Sequence, residues 1–290
     1  MHQYLKEIQT CFSLGSGWSD RLALAAAALE FHVSNFLGLP ARSTASTYRI
    51  HLGGMRDIQL RRRSGDFFVF HETFTSRCYD LPDSLVPAAP AVIVDLGANI
   101  GLTTLFLADR FPGASHLCVE PNPDNLALLR ANTSFLADRL TILEGAASDR
   151  PGEARFSDSD WSWGGHLVDN GPSTRSVRCL TLDEIMSKYR IDAIDILKVD
   201  IEGAEKQIVS RDPGWLSRVG CVVIELHDGY SFEEFRGNVA SSGLHVLEPN
   251  SEFGNSMVVA VRAARSGARD FNRELASGLR SESVLFDGCP

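Results

Sequence analysis

The chain has 290 residues, 44% hydrophobic and 22% charged, with a formal net charge of −9 and a pI near 5.4. This is globular composition, long enough for one large domain or a core with an appendage. The acidity and the lack of an obvious basic cluster argue against a nucleic-acid partner, and cysteines 11, 78, 118, 179, 221 and 289 show no CxxC or Cys/His cluster to suggest structural zinc.

The opening MHQYLKEIQTCFSLGSG lacks a basic region followed by an apolar core, so no secretory leader is expected. With reduced, mostly buried thiols, a cytoplasmic location is expected. Residues 19–39 read as an amphipathic helix. Ser19 or Asp20 can cap it, and Leu22, Ala25, Ala26, Leu29, Val33, Phe36 and Leu37 recur at helical spacing. That stripe should dock on the main body or on a second subunit, so a homodimer or a cap over substrate are its two roles. The apolar run 22–29 is followed by Glu30 and His32 and falls short of the about 20 residues a membrane span needs, so no membrane partner is expected. From Tyr48 to Tyr79, the runs YRIHL, DIQLRR and DFFVF, punctuated by Gly53-Gly54 and Ser64-Gly65, predict a small antiparallel β-meander, with Arg61-Arg62-Arg63 on an exposed strand edge. Residues 81–91 form a Pro-rich linker.

From Ala91 the pattern alternates. Strands are expected at 92–95, 115–120, 140–144, 176–180, 194–200, 221–227, 244–248 and 256–262. Helices are expected at 103–110, 123–134, 182–188, 204–210 and 232–241. This spacing implies an α/β fold with a mostly parallel sheet covered on both faces and an antiparallel hairpin at one edge. The expected organisation is a helical segment over 1–45, a β-meander cap with linker over 46–90, a ligand-binding domain over 91–262 and a polar tail over 263–290.

In such a sheet, ligands bind beyond the carboxyl ends of the strands. The stretch IVDLGANIG, 93–101, lies there. A P-loop would need a Lys after Gly101, and a dinucleotide loop would need a third glycine. Here Gly97 and Gly101 enclose Ala98 and Asn99. Asp95, before the loop, would repel a pyrophosphate but would favour a cationic ligand such as the sulfonium and ammonium of S-adenosylmethionine. Glu120 ends the next strand and can accept both ribose hydroxyls. Pro121, Asn122 and Pro123 turn the chain into a capped helix. Ala146 and Ala147 offer a smooth wall for an adenine, and Asp149 an acceptor for its amino group.

Within IDILKVDIEGAEKQIV, 194–209, Lys198 sits in a buried strand and shares side-chain parity with Asp200. Glu202 and Glu205 open a helix, where acids favour the dipole. In VVIELHDGY, Glu225 and His227 share parity, and Asp228 follows. Asp200 and His227 are therefore expected on one rim. The segment 158–171 carries Trp161, Trp163 and His166 beside two glycines, a pattern suited to a lid that stacks on an acceptor. Tyr79, Arg77 and Tyr230 are placed around the same pocket.

Taken together, VDLGANIGLTTLFLA, VEPNPDNLALLRAN, LEGAASDRPGEARF, LTLDEIM, IDILKVDIEGAEKQIV and VVIELH resemble, in order and spacing, the FkbM family of methyltransferases. The lead-in SGDFFVFHETFTSRCYD is similar too. The resemblance implies a Rossmann-like class I methyltransferase fold with a seven-stranded sheet. It also implies S-adenosylmethionine as cofactor and methyl transfer to a hydroxyl on a sugar or other small-molecule natural product. It assigns cofactor roles to Asp95, Gly97, Asn99, Gly101 and Glu120, to which the residue-level reading adds Tyr79, Ala98, Pro121, Asn122, Ala146, Ala147 and Asp200. It places Lys198, Asp200, Glu202 and Glu205 near the reaction centre. One departure is Ser210-Arg211-Asp212, where the family often has a glycine after the helix.

Two mechanisms remain open at this stage. In one, His227 accepts the hydroxyl proton and Asp200 orients it, with Lys198 beside them. In the other, Asp200 with Glu225, His227 or Asp228 holds a magnesium ion. The acceptor would meet Trp161, Trp163, His166, Glu202, Asp228 and Tyr230. A nitrogen acceptor, a nicotinamide-dependent oxidoreductase and a non-catalytic adenosylmethionine-binding protein are the competing readings.

Overall fold

A computed structural model of the chain describes residues 2–41, 44–157, 165–168, 174–211, 213–247 and 257–262. Two helices, α1 (His2–Leu14) and α2 (Trp18–Phe36), precede a hairpin of β1 (Ala45–His51) and β2 (Met55–Arg61), and then α3 (Asp66–His71), which runs on as a π turn, Glu72–Ser76. The alternating region follows as β3 (Val92–Leu96), α4 (Leu102–Arg110), β4 (Ser115–Glu120), α5 (Pro123–Asn132), β5 (Leu140–Glu144), β6 (Ala146–Ala147), β7 (Gly152–Ser157), β8 (His166–Val168), β9 (Thr174–Leu180) and α6 (Leu182–Tyr189). The chain then passes through β10 (Ile194–Val199), α7 (Glu205–Arg211), β11 (Val219–Glu225), α8 (Phe232–Val239), β12 (Leu244–Val246) and β13 (Met257–Arg262).

Seven strands form the main sheet in the order β12-β13-β11-β10-β3-β4-β5. β11, β10, β3, β4 and β5 are parallel, whereas β13 runs antiparallel to β11 and to β12. The strand order reverses between β3 and β10. A crevice opens there at the carboxyl ends, because the crossovers leave in opposite directions.

Alternate residues of each strand feed two cores. Ile93, Ile196, Cys221 and Val223 face α1–α4 and the hairpin. Val94, Leu197, Val222 and Ile224 face α6, α7 and α8. The hairpin is locked on: Asn132 accepts from Gln59 N at 2.7 Å, and Arg61 pairs with the buried Asp66 at 2.8 Å and donates to Asn125 at 2.7 Å.

Four sequence expectations change. The run DFFVF is helix, not a third meander strand, because Phe67, Phe70 and Phe74 at helical spacing all enter the core. Arg61, Arg62 and Arg63 do not form an open basic edge: Arg62 and Arg63 both pair with Glu30. Residues 174–180 leave the main sheet and join a four-stranded sheet, β6-β9-β7-β8. On α2, Leu24, Ala27, Ala28 and Phe31 carry the burial, whereas Leu22, Leu29, Val33, Phe36 and Leu37 lie on the exposed face.

Cysteines 11, 118, 179 and 221 are free and buried as expected, but Cys78 is disulfide-bonded. Among the described residues, no helix is long and apolar enough to cross a membrane.

Candidate functional site

A cavity of about 300 Å³ opens at the β3/β10 reversal and extends towards Phe156 and Leu167 of the small sheet. Its floor is the loop after β3. Gly97, at φ +79°, is required by close approach: a Cβ there would lie 1.8 Å from the Asp200 carbonyl oxygen. Asn99 takes a left-handed conformation, φ 50°. Its N–H donates to Glu120 Oε2 at 2.8 Å, while Asn122 N donates to Glu120 Oε1 at 2.8 Å. Asn122 in turn caps α5, accepting from Asp124 N at 2.8 Å, with Pro123 in the first turn. Glu120 is therefore a buried carboxylate held in place from two loops. Burial raises its pKa against those hydrogen bonds. Tyr79, Ala98, Pro121, Ala146 and Ala147 also line the cavity, as the sequence suggested.

Asp95 and Gly101 do not line it. Asp95 is buried beneath the loop, accepting from Thr104 Oγ1 at 2.7 Å and facing Lys198 Nζ at 3.2 Å. Register explains the pair, since Lys198 and Asp95 are direct neighbours across β10 and β3. Asp95 is thus already neutralised and is not the group that meets a cationic ligand. Gly101 serves helix packing, because a Cβ there would approach Leu129 at 2.6 Å.

The other wall is acidic. Asp200, Glu202, Glu225 and His227 line it. A carboxylate oxygen of Asp200, one of Glu202 and a ring nitrogen of His227 all lie within 4.8 Å of one another. Lys198 Nζ lies 3.4 Å from Asp200 and donates to the Gly97 carbonyl at 2.6 Å. Burial opposes its charge, but Asp95 and Asp200 prevail and hold its pKa above the usual lysine range. Lys198 is thereby a positioning residue that joins floor to wall. The Tyr79 hydroxyl donates to Asp200 Oδ2 at 3.4 Å.

Glu202 reaches the cavity from a tight turn in which it and Gly203 both have positive φ. Glu205, fully buried, holds that turn by accepting from Ile201 N and Gly203 N, each at 3.0 Å, and approaches His227 Nδ1 at 3.1 Å. Burial alone would deprotonate His227. The Glu205 hydrogen bond and the charges of Asp200, Glu205 and Glu225 outweigh it and raise the pKa to about 10. A pKa raised to about 10 favours the imidazolium at neutral pH, whereas the sequence reading gave His227 the role of base. Burial first, then the charge of Asp200, with Glu225 and Glu205 behind it and His227 opposing, push Glu202 up to about 8.

Sequence reasoning missed Glu72. It lies in the π turn and lines the cavity, and burial together with Glu225 and Asp200 holds its pKa well above the carboxylate range. Its one sequence signal was its place in the FkbM-like lead-in segment.

Other expected contacts are absent from the lining. Tyr230 is buried against Phe235, and its hydroxyl accepts from Asn238 at 2.9 Å. Asp228 is exposed past the rim, its carboxylate over Gly203. His166 points outward on β8, and the neighbouring Leu167 takes the cavity side. Arg77 pairs with Asp80 and Asp149 with Arg150. Trp161 and Trp163 lie outside the described residues.

Residues 95–258 match the family described as the methyltransferase FkbM domain. Among curated proteins, the chain is 26% identical over 201 residues to AMB antimetabolite synthetase AmbE of Pseudomonas aeruginosa, covering 56% of this chain but 9% of that protein. It is 28% identical over 196 residues to 31-O-demethyl-FK506 methyltransferase FkbM of Streptomyces tacrolimicus, covering 56% of this chain and 74% of the relative. It is 29% identical over 170 residues to 2-O-methyltransferase NoeI of Sinorhizobium fredii, covering 52% and 69% respectively.

Proposed function

Because that match spans more than half of its length, the chain belongs to the FkbM methyltransferase family, and from this premise we propose that it is an S-adenosylmethionine-dependent O-methyltransferase acting on a hydroxyl of a sugar or other small natural product. The observation that carries the reading is the cavity itself, with a buried, two-loop-anchored Glu120 at one end and an acid–imidazole cluster at the other. The names of two relatives specify transfer to oxygen, which favours a hydroxyl acceptor.

The residues present fit the cofactor. Asn99 Oδ1 is buried and has no hydrogen-bond partner among the described residues, so it can take a donor from a ligand. Glu120 Oε2 keeps a lone pair beyond the Asn99 N–H, whereas Oε1 accepts from both Asn122 N and Asn125 Nδ2. Gly97, Ala98, Asn99, Glu120, Asn122, Ala146 and Ala147 would hold the cofactor, with Asp200 at its cationic end. When bound, S-adenosylmethionine supplies an electrophilic methyl group on a sulfonium. The chain contributes orientation, worth roughly 7–11 kcal/mol when reacting groups are held in line, and removal of the acceptor proton. Glu202, with a pKa of about 8, suits the base role better than His227. The His227 imidazolium then holds Glu202 and Glu225, at 3.8 and 3.7 Å, in place.

A second reading rests on the convergence of Asp200, Glu202 and His227. That set can hold a divalent cation, magnesium or manganese, that would bind acceptor oxygens. Glu225 borders it, whereas Asp228 does not. Exhaustive chelation followed by metal add-back separates the readings: undiminished turnover excludes the metal.

The primary test is calorimetric titration with S-adenosylhomocysteine, followed by labelled-methyl transfer to a panel of hydroxylated sugars and natural products. Stoichiometric binding that Glu120→Ala abolishes, with label on an acceptor oxygen, is the expected result. A folded protein that does not bind would overturn the cofactor assignment.

A further inference from the structure

Away from the cavity, three helices converge on a second cluster. Glu7 of α1, His32 of α2 and His71 of α3 each present one ligand atom, all within 4.8 Å of one another. Glu7 and His71 are buried at 4% and 6% exposure, whereas the His32 side chain keeps 27%. Glu7 Oε2 lies 2.5 Å from His32 Nε2 and 3.5 Å from His71 Nε2.

The decisive atom is His71 Nε2. It is buried, aimed at the Glu7 carboxylate, and has no hydrogen-bond partner among the described residues. The other ring nitrogen, Nδ1, contacts Thr75 Oγ1 at 3.2 Å, which fixes the ring plane. If Nδ1 donates to Thr75, an Nε2 lone pair faces a carboxylate, two acceptors opposed in a dry site. If Nε2 carries the proton, 3.5 Å is too long for a hydrogen bond. A cation between the three groups resolves both cases.

We propose that Glu7, His32 and His71 form a zinc-type transition-metal site that staples the N-terminal helices to α3. Two imidazoles and one carboxylate are a borderline donor set that suits zinc, cobalt or nickel over magnesium. Ligand atoms about 2.0–2.1 Å from a tetrahedral ion stand roughly 3.4 Å apart, so the Glu7–His71 distance already fits. The Glu7–His32 contact must open by about 1 Å, and His32, the least buried of the three, has room to move. The nearly parallel His32 and His71 rings, 14° apart with centroids at 6.1 Å, present their Nε2 edges to the same point. Thr75 supplies the outer hydrogen bond that metal-bound histidines require. The fourth position opens on the His32 side and takes water. Such a site cannot be read from sequence spacing, since its ligands are 25 and 39 residues apart (7 to 32, 32 to 71).

The test uses the full chain without a histidine tag, stripped with EDTA and dialysed. Zinc chloride is titrated against a chromophoric chelator, with thermal unfolding recorded alongside. The expected result is a zinc equivalent bound in the micromolar range or tighter and a melting temperature raised by several degrees. Glu7→Gln and His71→Ala should weaken that equivalent at least tenfold and remove the thermal shift, whereas His51→Ala, at an exposed position on β1, should leave both unchanged. Should His71→Ala not fold, His32→Ala, at the more exposed position, and the visible spectrum of the cobalt-loaded wild type decide the matter. A tetrahedral cobalt spectrum that is lost in His32→Ala supports the site. No zinc bound by folded protein, or zinc lost only in His227→Ala, would overturn it and leave a proton shared between Glu7 and His32 as the occupant.

Discussion

Lys198→Met offers the sharpest test of the charge arrangement beneath the cavity. The substitution keeps the stem volume and removes the ammonium. Asp200 can turn to water, because its side chain is 23% exposed, but Asp95 at 1% cannot. Its Oδ1 faces Nζ at 3.2 Å and makes no other contact of hydrogen-bond geometry among the described residues. Breaking a buried pair by removing one partner costs about 3–5 kcal/mol, because the remaining charge is stranded. Against a typical net stability of roughly 5–15 kcal/mol, this is a large fraction of the fold. Urea unfolding should show the midpoint falling with the slope unchanged. Adding Asp95→Asn to Lys198→Met should recover at least half of the loss, because the neutral amide still accepts from Thr104. A loss below about 1 kcal/mol, or no recovery in the double variant, would refute the claim that Lys198 is there to compensate Asp95.

Glu202 and His227 predict the pH–rate profile. With Glu202 near 8, its base form grows as pH rises, so kcat/KM should climb through an apparent pKa close to 8 and the climb should vanish in Glu202→Gln. Glu205→Gln removes the leading support for the charged imidazole, so the His227 ring protons followed by NMR should titrate well below about 10. His116, buried with its pKa lowered to about 4, is protonated more readily in the unfolded chain. Stability is therefore present above pH 6.5 and lost as pH falls towards 4, by about 2–3 kcal/mol between pH 7 and 4.5, a loss that unfolding of His116→Leu at the two pH values should not show. Gly97→Ala should unfold the protein or cost more than about 4 kcal/mol, whereas Gly229→Ala, at a similar φ of 74° but in open space, should cost about 1–2 kcal/mol; equal melting temperatures would remove the close-approach argument.

The alternating region was legible because its signals are local. Strands at 115–120 and 140–144 fall where expected, since an apolar run ending in an acid has one reading beside a capped helix. Glu120 and Asp200 were expected at the crevice because strand ends at a switch point face it, and Glu202 because of its place in the family-like segment; all three line the cavity. The failures are tertiary. Asp95 was assigned to a ligand because its own strand does not reveal that Lys198 sits beside it in register. The face of α2 was misassigned because two apolar stripes, Leu24–Phe31 and Leu22–Phe36, run along one helix, and only docking selects between them. DFFVF carries five residues, too few to separate a period of 2 from 3.6. His227 was read as a base because one sequence position cannot show Glu205, Glu202 and Glu225 closing on it.

That closing also bears on what the cavity is built to hold. Glu72, Asp200, Glu202 and Glu225 face it together with Glu120, and among the described lining residues only His227 and the shared charge of Lys198 answer them. A pocket that stayed empty could keep this arrangement only by retaining protons, which is what the raised pKa values of Glu72 and Glu202 express. A cation that enters replaces those protons and lowers the cost of every carboxylate at once. The proposed cofactor carries a sulfonium and an ammonium against one carboxylate, a net single positive charge, and the alternative occupant is a divalent metal. Both satisfy the same imbalance, whereas a pyrophosphate would add to it. What favours a cation over an anion in this cavity is therefore not Asp95, which is paired with Lys198, but the four carboxyl groups that the end of β11 and the turns after β10 and α3 bring to it.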